Sequence, residues 1–279
     1  MDGSPTIIRA SGLPGYPDCQ RRWAAKTISR EIEAAGFKLN RTPTSIGASV
    51  GTAVHGGAAF TLAEKLKSGE LGNQTEAEQR AISELGEAAA GETLMDEVTP
   101  NINAAEKQVV QMLRLYRFAI APSIIPVAVE QRLMANVGDG FVISGQSDVQ
   151  VMQPDLIRDL KTGRHSRQHY AQVGTYSLLA RTARPDIPVK GVCVDYIPRV
   201  AASKPTPEPV TSFYDQATAE QAAFNTIRHM KADVTEFRRR VSEGGEPPQH
   251  VFLANPSSML CSPKWCPAFG TNFCKEHKQ

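Results

Sequence analysis

The sequence lacks an apolar stretch of the roughly 18 to 20 residues that a helix needs to cross a bilayer. Its first residues, MDGSPTIIRASG, also lack the basic region and the apolar core of a secretory signal. An excess of one charge is missing too, because 31 basic residues stand against 29 acidic ones and the formal net charge is +2. These absences predict a cytoplasmic protein that does not associate with membranes. The small net charge neither indicates nor excludes nucleic-acid binding.

Several known motifs are absent as well. The sequence has no GxxxxGK[ST] loop, which argues against a phosphate-binding motor such as a helicase. It contains no internal repeat, and no segment resembles a zinc-finger array or a base-reading helix. What is present fits one globular domain over 1–279, since 41% of the residues are hydrophobic and 22% are charged. Helical patterns cover 45–67, 74–90 and 103–119, and the last two predict a helical insertion over about 69–122.

The pattern changes at Pro126. The segments VAVEQRLMANV, FVISGQSDVQVM and LIRDLK alternate with period two and are separated by the turn segments GDG and QPD, which predicts a three-stranded antiparallel meander. A helical pattern (RQHYAQVGTYSLLARTA) and a buried strand (VKGVCVDYIP) follow. The predicted fold is therefore α/β, with a core of helix, three strands, helix and strand over about 45–68 and 126–200. A last helix over 217–241 precedes a Cys-rich tail that is too poor in regular pattern to be held by an apolar core.

Two carboxylates and a lysine in the meander could carry chemistry. Asp159 and Lys161 are two residues apart and share a strand face, while Leu160 points to the opposite layer. A hairpin through QPD can bring Asp148 beside Asp159. Paired carboxylates repel each other unless a cation lies between them, and their hard oxygens suit Mg²⁺ or Mn²⁺. An isolated D-x-K is more often a surface ion pair, so the surrounding motifs decide. The predicted metal-binding residues are Asp148 and Asp159, with Leu160 next to Asp159 in the strand. Glu130 could supply a further carboxylate to a second metal, and it is equally well interpreted as an exposed strand residue.

Four short motifs occur in order on the predicted elements: GTAVH at 51–55, GQSD at 145–148, DLK at 159–161 and QVGTY at 172–176. Together they resemble the RecB-type branch of the PD-(D/E)XK nuclease superfamily. The resemblance implies a nuclease core in which His55, Asp148 and Asp159 bind one metal site and Lys161 is the catalytic lysine. It also implies a supporting role for Gln172 and Tyr176, which are four residues apart and so share a helix face that can address DNA or the site.

The cysteines divide into one inside an apolar strand, Cys193, which we interpret as an inert buried thiol, and four near the chain ends. Cys19 together with Cys261, Cys266 and Cys274 resembles the iron-sulfur members of the superfamily, such as the CRISPR-associated exonuclease and the AddB nuclease domain. The resemblance implies a [4Fe-4S] cluster that joins the two chain ends. The spacing of the last three cysteines is wider than that pattern. A Zn²⁺ site with His277 in place of Cys19 is the competing interpretation.

Three basic segments could contact DNA phosphates: Arg21 with Arg22, KTGRHSR at 161–167 and RRR at 238–240. We therefore predict a Mg²⁺- or Mn²⁺-dependent DNA exonuclease that acts in recombination, repair, or phage or CRISPR-associated DNA processing. It would recognise single strands or ends rather than base sequence, and unwinding would come from a partner such as a helicase or a recombinase. The alternative is a non-catalytic DNA-binding accessory protein of a recombination complex.

Overall fold

The computed structural model describes residues 5–165 and 168–277. Seven α-helices and eight strands are assigned within these residues. The helices are α1 (Gln20–Thr27), α2 (Ser29–Ala34), α3 (Ile46–Ser68), α4 (Gln74–Ala88), α5 (Ile102–Ala119), α6 (Tyr170–Ala183) and α7 (Gln216–Glu243). The strands are β1 (Thr6–Arg9), β2 (Thr44–Ser45), β3 (Thr93–Leu94), β4 (Pro126–Asn136), β5 (Phe141–Val151), β6 (Leu156–Gly163), β7 (Gly191–Pro198) and β8 (Val210–Tyr214). None of the described helices is long and apolar enough to cross a membrane.

A mixed six-stranded sheet forms the centre of the molecule, with the order β1-β5-β6-β7-β8 and with β4 paired to the other edge of β5. β4, β5 and β6 are antiparallel neighbours, so the predicted meander is confirmed, and β7 runs parallel to β6 after the α6 crossover. β1 adds a parallel neighbour to the first half of β5. This sheet with helices on both faces is the predicted α/β architecture.

The helical insertion covers one face of the sheet. Side chains of α3, α4 and α5, such as Val50, Leu85 and Leu113, pack with Leu160 and Ile197 of the strands in one buried cluster. α3 begins with a Ser45 side-chain cap on the amide of Ala48 and ends at Gly69 in the left-handed conformation. These end signals and the uninterrupted small-residue segment explain why its limits could be predicted closely from sequence.

α6 covers the opposite face of the sheet, and α7 packs across α6. A Cβ on Gly174 of α6 would lie 1.9 Å from the carbonyl oxygen of Ala219 in α7, so the two helices meet at a contact that admits no side chain. Gly145 of β5 also allows a close contact between the sheet and α6, because a Cβ there would lie 2.9 Å from the ring of Tyr176. Two glycines therefore set how closely α6 approaches its neighbours.

The Cys-rich tail differs from the prediction. It has little regular structure, as expected, but it is held by an apolar core: Phe252, Ala268 and Phe273 are completely buried with Trp23 and Phe237. The prediction was wrong because the apolar residues of the tail are widely spaced and show no periodicity. They become a core only when the tail lies over α1 and α7.

Candidate active site

The candidate site lies where β5 and β6 separate. The two strands pair at residues 149–151 of β5, and the next pair in the same register would be Asp148 opposite Asp159. The described ladder between these strands ends there, and Asp148 Oδ2 accepts a hydrogen bond from the main-chain amide of Leu160 instead. A carboxylate thus takes the place of a main-chain acceptor at the point where β5 and β6 separate, which we call the fork.

α3 brings His55 to this fork. Its Nδ1 lies 3.0 Å from Asp148 Oδ1. Burial lowers the pKa of His55, but the charge of Asp148 and the hydrogen bond to it raise that pKa by more. Burial raises the pKa of Asp148, yet His55 and Lys161 bring it below its ordinary value. An ionised carboxylate can only accept, so the hydrogen is on Nδ1 and the other ring nitrogen, Nε2, is left as a possible metal ligand.

Glu130 of β4 lies opposite Asp148 in the β4–β5 register, between the pairs Val129↔Val149 and Gln131↔Ser147. Its φ of 48° is in the left-handed region, which is unusual for a non-glycine residue inside a strand and costs of order 1–3 kcal/mol. Gln146 donates a hydrogen bond to its carboxylate. Burial, followed by the nearby charge of Asp148, raises the pKa of Glu130 to about 7. Backbone strain and a raised pKa therefore coincide at one side chain.

These residues offer a donor set for a divalent cation. Among the described residues, His55, Glu130 and Asp148 form the group of three whose ligand atoms lie within 4.8 Å of one another. One imidazole and two mutually repelling carboxylates suit Mn²⁺ or Mg²⁺. Two further residues of the predicted metal set lie outside this group. Asp159 is paired with Lys161, and Leu160 gives its amide to Asp148 while its side chain is buried in the core.

Asp159 and Lys161 share a face of β6, as their spacing predicts. Lys161 Nζ lies 2.6 Å from Asp159 Oδ2, and the Asp159 side chain is almost fully buried. Burial raises the pKa of Asp159 and outweighs the opposing effect of Lys161, so the pKa reaches about 6. Burial lowers the pKa of Lys161, but Asp159 and Asp148 together raise it above its ordinary value. Lys161 is therefore a fixed cation beside the metal-binding group.

Gln172 and Tyr176 of α6 contact each other rather than the open surface. Gln172 Nε2 donates to the Tyr176 hydroxyl at 2.8 Å, and both side chains are buried against the sheet. Burial and then the charge of Asp159 raise the pKa of Tyr176. The charge of Asp159 therefore connects Tyr176 electrostatically to the site.

A groove of about 1100 Å³ lies in front of these residues and is lined by His55, Glu130 and Lys161. α3 contributes Phe60 and Lys67 to its wall, and α4 of the helical insertion contributes Arg80 and Glu84. The Arg80 guanidinium lies 5.8 Å from the centre of the Phe60 ring, and Glu84 packs over Gly56, where a Cβ would overlap its carboxylate. These wall residues could not be recognised from the sequence, because charged residues on exposed helix faces are ordinary.

Four of the five cysteines meet at one place. Cys19, Cys261, Cys266 and Cys274 line a single small cavity with Arg21, Arg22 and His277. Burial raises the pKa of Cys266 to about 11 and also raises the pKa of Cys274. Cys193 lies elsewhere, fully buried in β7, where burial raises its pKa to about 12. The division into four clustered thiols and one core thiol agrees with the sequence interpretation.

The structure places the three predicted basic segments in different surroundings. Arg21 and Arg22 are buried and occupied: Arg21 binds the Phe252 carbonyl and Glu276, and Arg22 binds Asp18 and Ser258. Their assignment as DNA contacts was wrong, because the tail covers them. Arg238, Arg239 and Arg240 are all engaged with carboxylates, of Glu31, Glu236, Glu243 and Glu246. Residues 161–165 of the remaining segment line a pocket that includes Lys161, and Ser166 and Arg167 lie outside the described residues.

Comparison with known proteins agrees with this geometry. A family model described as the PD-(D/E)XK nuclease superfamily matches residues 10–268. A crystal structure from Eubacterium rectale described as a "Putative exonuclease" has a TM-score of 0.55 and 11% identity, covering 92% of this chain and 87% of that one, which is a likeness of fold. A solved structure named SSO0001 gives a TM-score of 0.28 at 12% identity, over 68% and 76% of the two chains. No curated protein matches. The match over nearly the whole chain and the fork of β5 and β6 lead to one conclusion: the chain belongs to the PD-(D/E)XK nuclease superfamily.

Proposed function

We propose that this protein is a Mg²⁺- or Mn²⁺-dependent deoxyribonuclease, acting as an exonuclease in recombination, repair, or phage or CRISPR-associated DNA processing. The observation that carries the proposal is the convergence of three ligand atoms, from His55, Glu130 and Asp148, within 4.8 Å of one another beside the fixed cation of Lys161. A family model alone would also match a member that had lost its activity. A donor set of three ligand atoms next to a partly buried lysine supports retention of the activity.

When bound, the divalent cation supplies a Lewis acid for the phosphoryl oxygen and lowers the pKa of a water to make it a nucleophile. His55 and Asp148 hold each other in orientation through their hydrogen bond at 3.0 Å. Lys161, kept protonated by Asp159, faces the groove with part of its side chain and can stabilise the negative charge that grows on the phosphate. Each of these side chains thus has a separate task in phosphodiester hydrolysis.

The groove supports DNA as the substrate. Three cations line it, Lys67, Arg80 and Lys161, and each forms an ion pair with a neighbouring carboxylate, of Glu64, Glu84 and Asp159. These cations can contact phosphates of the DNA backbone. Among the residues that the structure describes, no base-reading element lines it, so we propose recognition of backbone and strand ends, with a helicase or a recombinase as a partner. The fold likeness to the E. rectale structure supports, at the level of architecture, the assignment as an exonuclease.

The deciding experiment uses two matched ion pairs. Lys161–Asp159 lies at the site at 2.6 Å, and Lys190–Asp155 lies at the opposite end of β6 at 2.7 Å on the surface. End-labelled single- and double-stranded DNA is incubated with Mg²⁺ or Mn²⁺. Asp159→Asn and Lys161→Ala are expected to lower the cleavage rate by about 10²-fold or more, whereas Asp155→Asn and Lys190→Ala leave it unchanged. If folded wild type binds DNA but cleaves neither substrate, the protein is a DNA-binding accessory protein instead.

We also propose that the four clustered cysteines bind a [4Fe-4S] cluster. Their donor chemistry fits, because four thiols from both chain ends border one cavity next to the buried cations Arg21 and Arg22. Among the described residues, which include all five cysteines, no three sulfurs lie within 4.8 Å of one another. A tetrahedral Zn²⁺ site with Zn–S bonds of about 2.3 Å needs sulfurs roughly 3.8 Å apart. Thiolates that ligate four different irons do not need to approach one another so closely, and the cluster uses Cys19, which the zinc site with His277 leaves out.

The alternative is a zinc site in which His277 takes the place of Cys19. His277 lines the same cavity, and its buried Nδ1 has no hydrogen-bond partner among the described residues. The test is the visible spectrum and metal content of anaerobically purified protein. A brown protein with about four irons is expected, and serine at any of the four clustered positions should remove the colour, while Cys193→Ser keeps it. A colourless protein with one zinc, lost in His277→Ala, would show the zinc site.

A further inference from the structure

Lys161 borders two cavities, the groove described above and a smaller pocket of about 440 Å³. The pocket is lined by residues of β6 and β7, by the start of α3 and by the segment 94–96. The Cys-rich tail contributes Lys264 and Trp265 to the lining. We call it the Trp265 pocket. It therefore joins the proposed catalytic lysine to a part of the chain 104 positions away.

Trp265 offers this pocket an aromatic surface. It is one of two tryptophans, and the other, Trp23, is buried in the core with Tyr16 and Phe252. Trp265 is half-buried, and its ring has the Lys264 ammonium 5.2 Å from its centre. It lies in the sequence directly before Cys266, whose side chain is buried in the cysteine cavity. The tail core therefore fixes the position of the ring at the edge of the pocket.

The charge of the pocket is positive. Its described lining residues include four cations, Lys161, Arg164, Arg199 and Lys264, and one carboxylate, Asp96. Asp96 is bound by Arg199 at 2.5 Å, so it does not neutralise the others. The acidic neighbour of Arg164, Glu97, is 3.8 Å away and highly exposed, and such a pair contributes little. Arg164 and Lys264 are thus placed to meet an anion in the pocket.

We propose that the Trp265 pocket binds a nucleotide of a single DNA strand directly adjacent to the phosphate that is cut, with Trp265 stacked on its base and Lys264 and Arg164 at its phosphates. An aromatic ring with neighbouring cations is the usual combination for sequence-independent binding of single strands. The volume lies within the range of small-molecule pockets, which fits one or two nucleotides. This inference rests on the proposed nuclease function, because Lys161 defines the adjacent phosphate.

The pocket also implies a path for the strand. The groove carries its own pair of aromatic ring and cation, Phe60 of α3 with Arg80 of α4. A strand that runs from Phe60 past His55 and Lys161 to Trp265 meets an aromatic ring in each of the two cavities that Lys161 borders. The two rings belong to different segments, α3 and the Cys-rich tail.

The test uses the full-length protein loaded with its metals as purified, with Ca²⁺ replacing Mg²⁺ to slow cleavage. Single-stranded oligonucleotides carry 2-aminopurine at one position at a time, a base whose fluorescence falls when it stacks on an aromatic ring. Wild type and Trp265→Phe are expected to quench one position next to the cut bond, and Trp265→Leu is expected not to. The affinity of Trp265→Leu should fall roughly 5- to 100-fold.

Lys264→Ala is a second variant, which removes a cation and leaves the Trp265 ring in place. In a plot of log affinity against log salt concentration, the slope is expected to be less steep by about 0.7 in Lys264→Ala than in wild type. The slope should stay unchanged in Lys190→Ala, because Lys190 lies at the opposite end of the sheet. Urea unfolding of each variant shows whether the tail remains folded.

The possible failures are distinguishable. If wild type cleaves DNA with Mg²⁺ or Mn²⁺ but Trp265→Leu retains the quenched position, the affinity and the KM of wild type, the pocket does not bind the strand and the nuclease function stands. If wild type does not cleave, the nuclease function fails, and the same 2-aminopurine signal still decides whether the pocket binds DNA.

Discussion

His55 Nδ1 lies 3.0 Å from Asp148 Oδ1, although the two residues are 93 positions apart in the sequence. The contact joins the longest helix of the nuclease core, α3, to the point where β5 separates from β6. Removing either partner leaves the other charge partly buried without compensation, which is costly. The pair therefore links the position of α3 to the arrangement of the ligand atoms at the candidate metal site.

The first prediction concerns this pair. His55→Ala should raise the Mn²⁺ concentration for half-maximal cleavage by about 10- to 100-fold, because Asp148 loses its orienting partner and the site loses a nitrogen donor. The rate at saturating Mn²⁺ should fall less. A Mn²⁺ titration of the cleavage rate measures both, with His229→Ala, an exposed histidine of α7, as the control that keeps wild-type values. Equal Mn²⁺ requirements in the two variants would contradict the prediction.

The second prediction concerns pH. Without metal, burial and carboxylate repulsion raise the pKa of Glu130 to about 7 and that of Asp159 to about 6. A carboxyl group whose pKa is raised on folding stabilises the protein below its unfolded pKa, near 4, and this stability is lost as the pH rises through the folded pKa. Metal-free protein should therefore lose stability between about pH 4 and pH 7. A divalent cation offsets the repulsion only where the carboxylates are ionised.

Mn²⁺ should thus raise the Tm more at pH 8 than at pH 5, and thermal unfolding at several pH values with and without Mn²⁺ measures the difference. Glu130→Gln removes one of the two titrating groups, so its metal-free Tm should depend less on pH between 5 and 8. A Mn²⁺ effect of the same size at both pH values would mean that these carboxyl groups do not hold the cation.

The third prediction separates anchoring from DNA contact. Arg21→Ala removes a buried guanidinium that binds the Phe252 carbonyl and Glu276, so it should cost about 1–3 kcal/mol of unfolding free energy. Arg239→Ala removes a cation from surface pairs on α7 and should cost under about 1 kcal/mol. Urea denaturation measures both variants. DNA affinity of folded Arg21→Ala should show an unchanged salt slope; a reduced slope would restore Arg21 as a phosphate contact.

The fourth prediction compares two helical glycines. Gly174→Ala places a Cβ against the main chain of Ala219 and should destabilise the protein by roughly 1–3 kcal/mol, since neither helix can move alone. Gly86→Ala in α4 meets nothing within 4 Å and should stabilise by about 0.4–1 kcal/mol through a less flexible unfolded chain. The two midpoints of denaturation should shift in opposite directions. A shared direction would argue against the close contact of α6 and α7.

Local signals account for which elements could be predicted. α3, the meander and α7 have long periodic patterns or clear end signals, and the structure has them close to the predicted limits. β1, β8, α1 and α2 were missed, because four to eight residues are too few to show a period. β8 follows the Pro-rich connector at 204–209, and it forms a strand only through its pairing with β7.

Along the chain, the sequence by itself determined the residue types and their spacing: a carboxylate and a lysine on one strand face, a histidine on a small-residue helix, four cysteines near the two ends. Only the tertiary structure decided that Glu130 adopts a left-handed backbone opposite Asp148, that Arg21 is covered by the tail, and that Trp265 and Lys161 line one pocket. The physical reason is distance along the chain. Periodicity and end signals act among neighbours, whereas these contacts join segments tens to hundreds of residues apart, and packing alone brings such segments together.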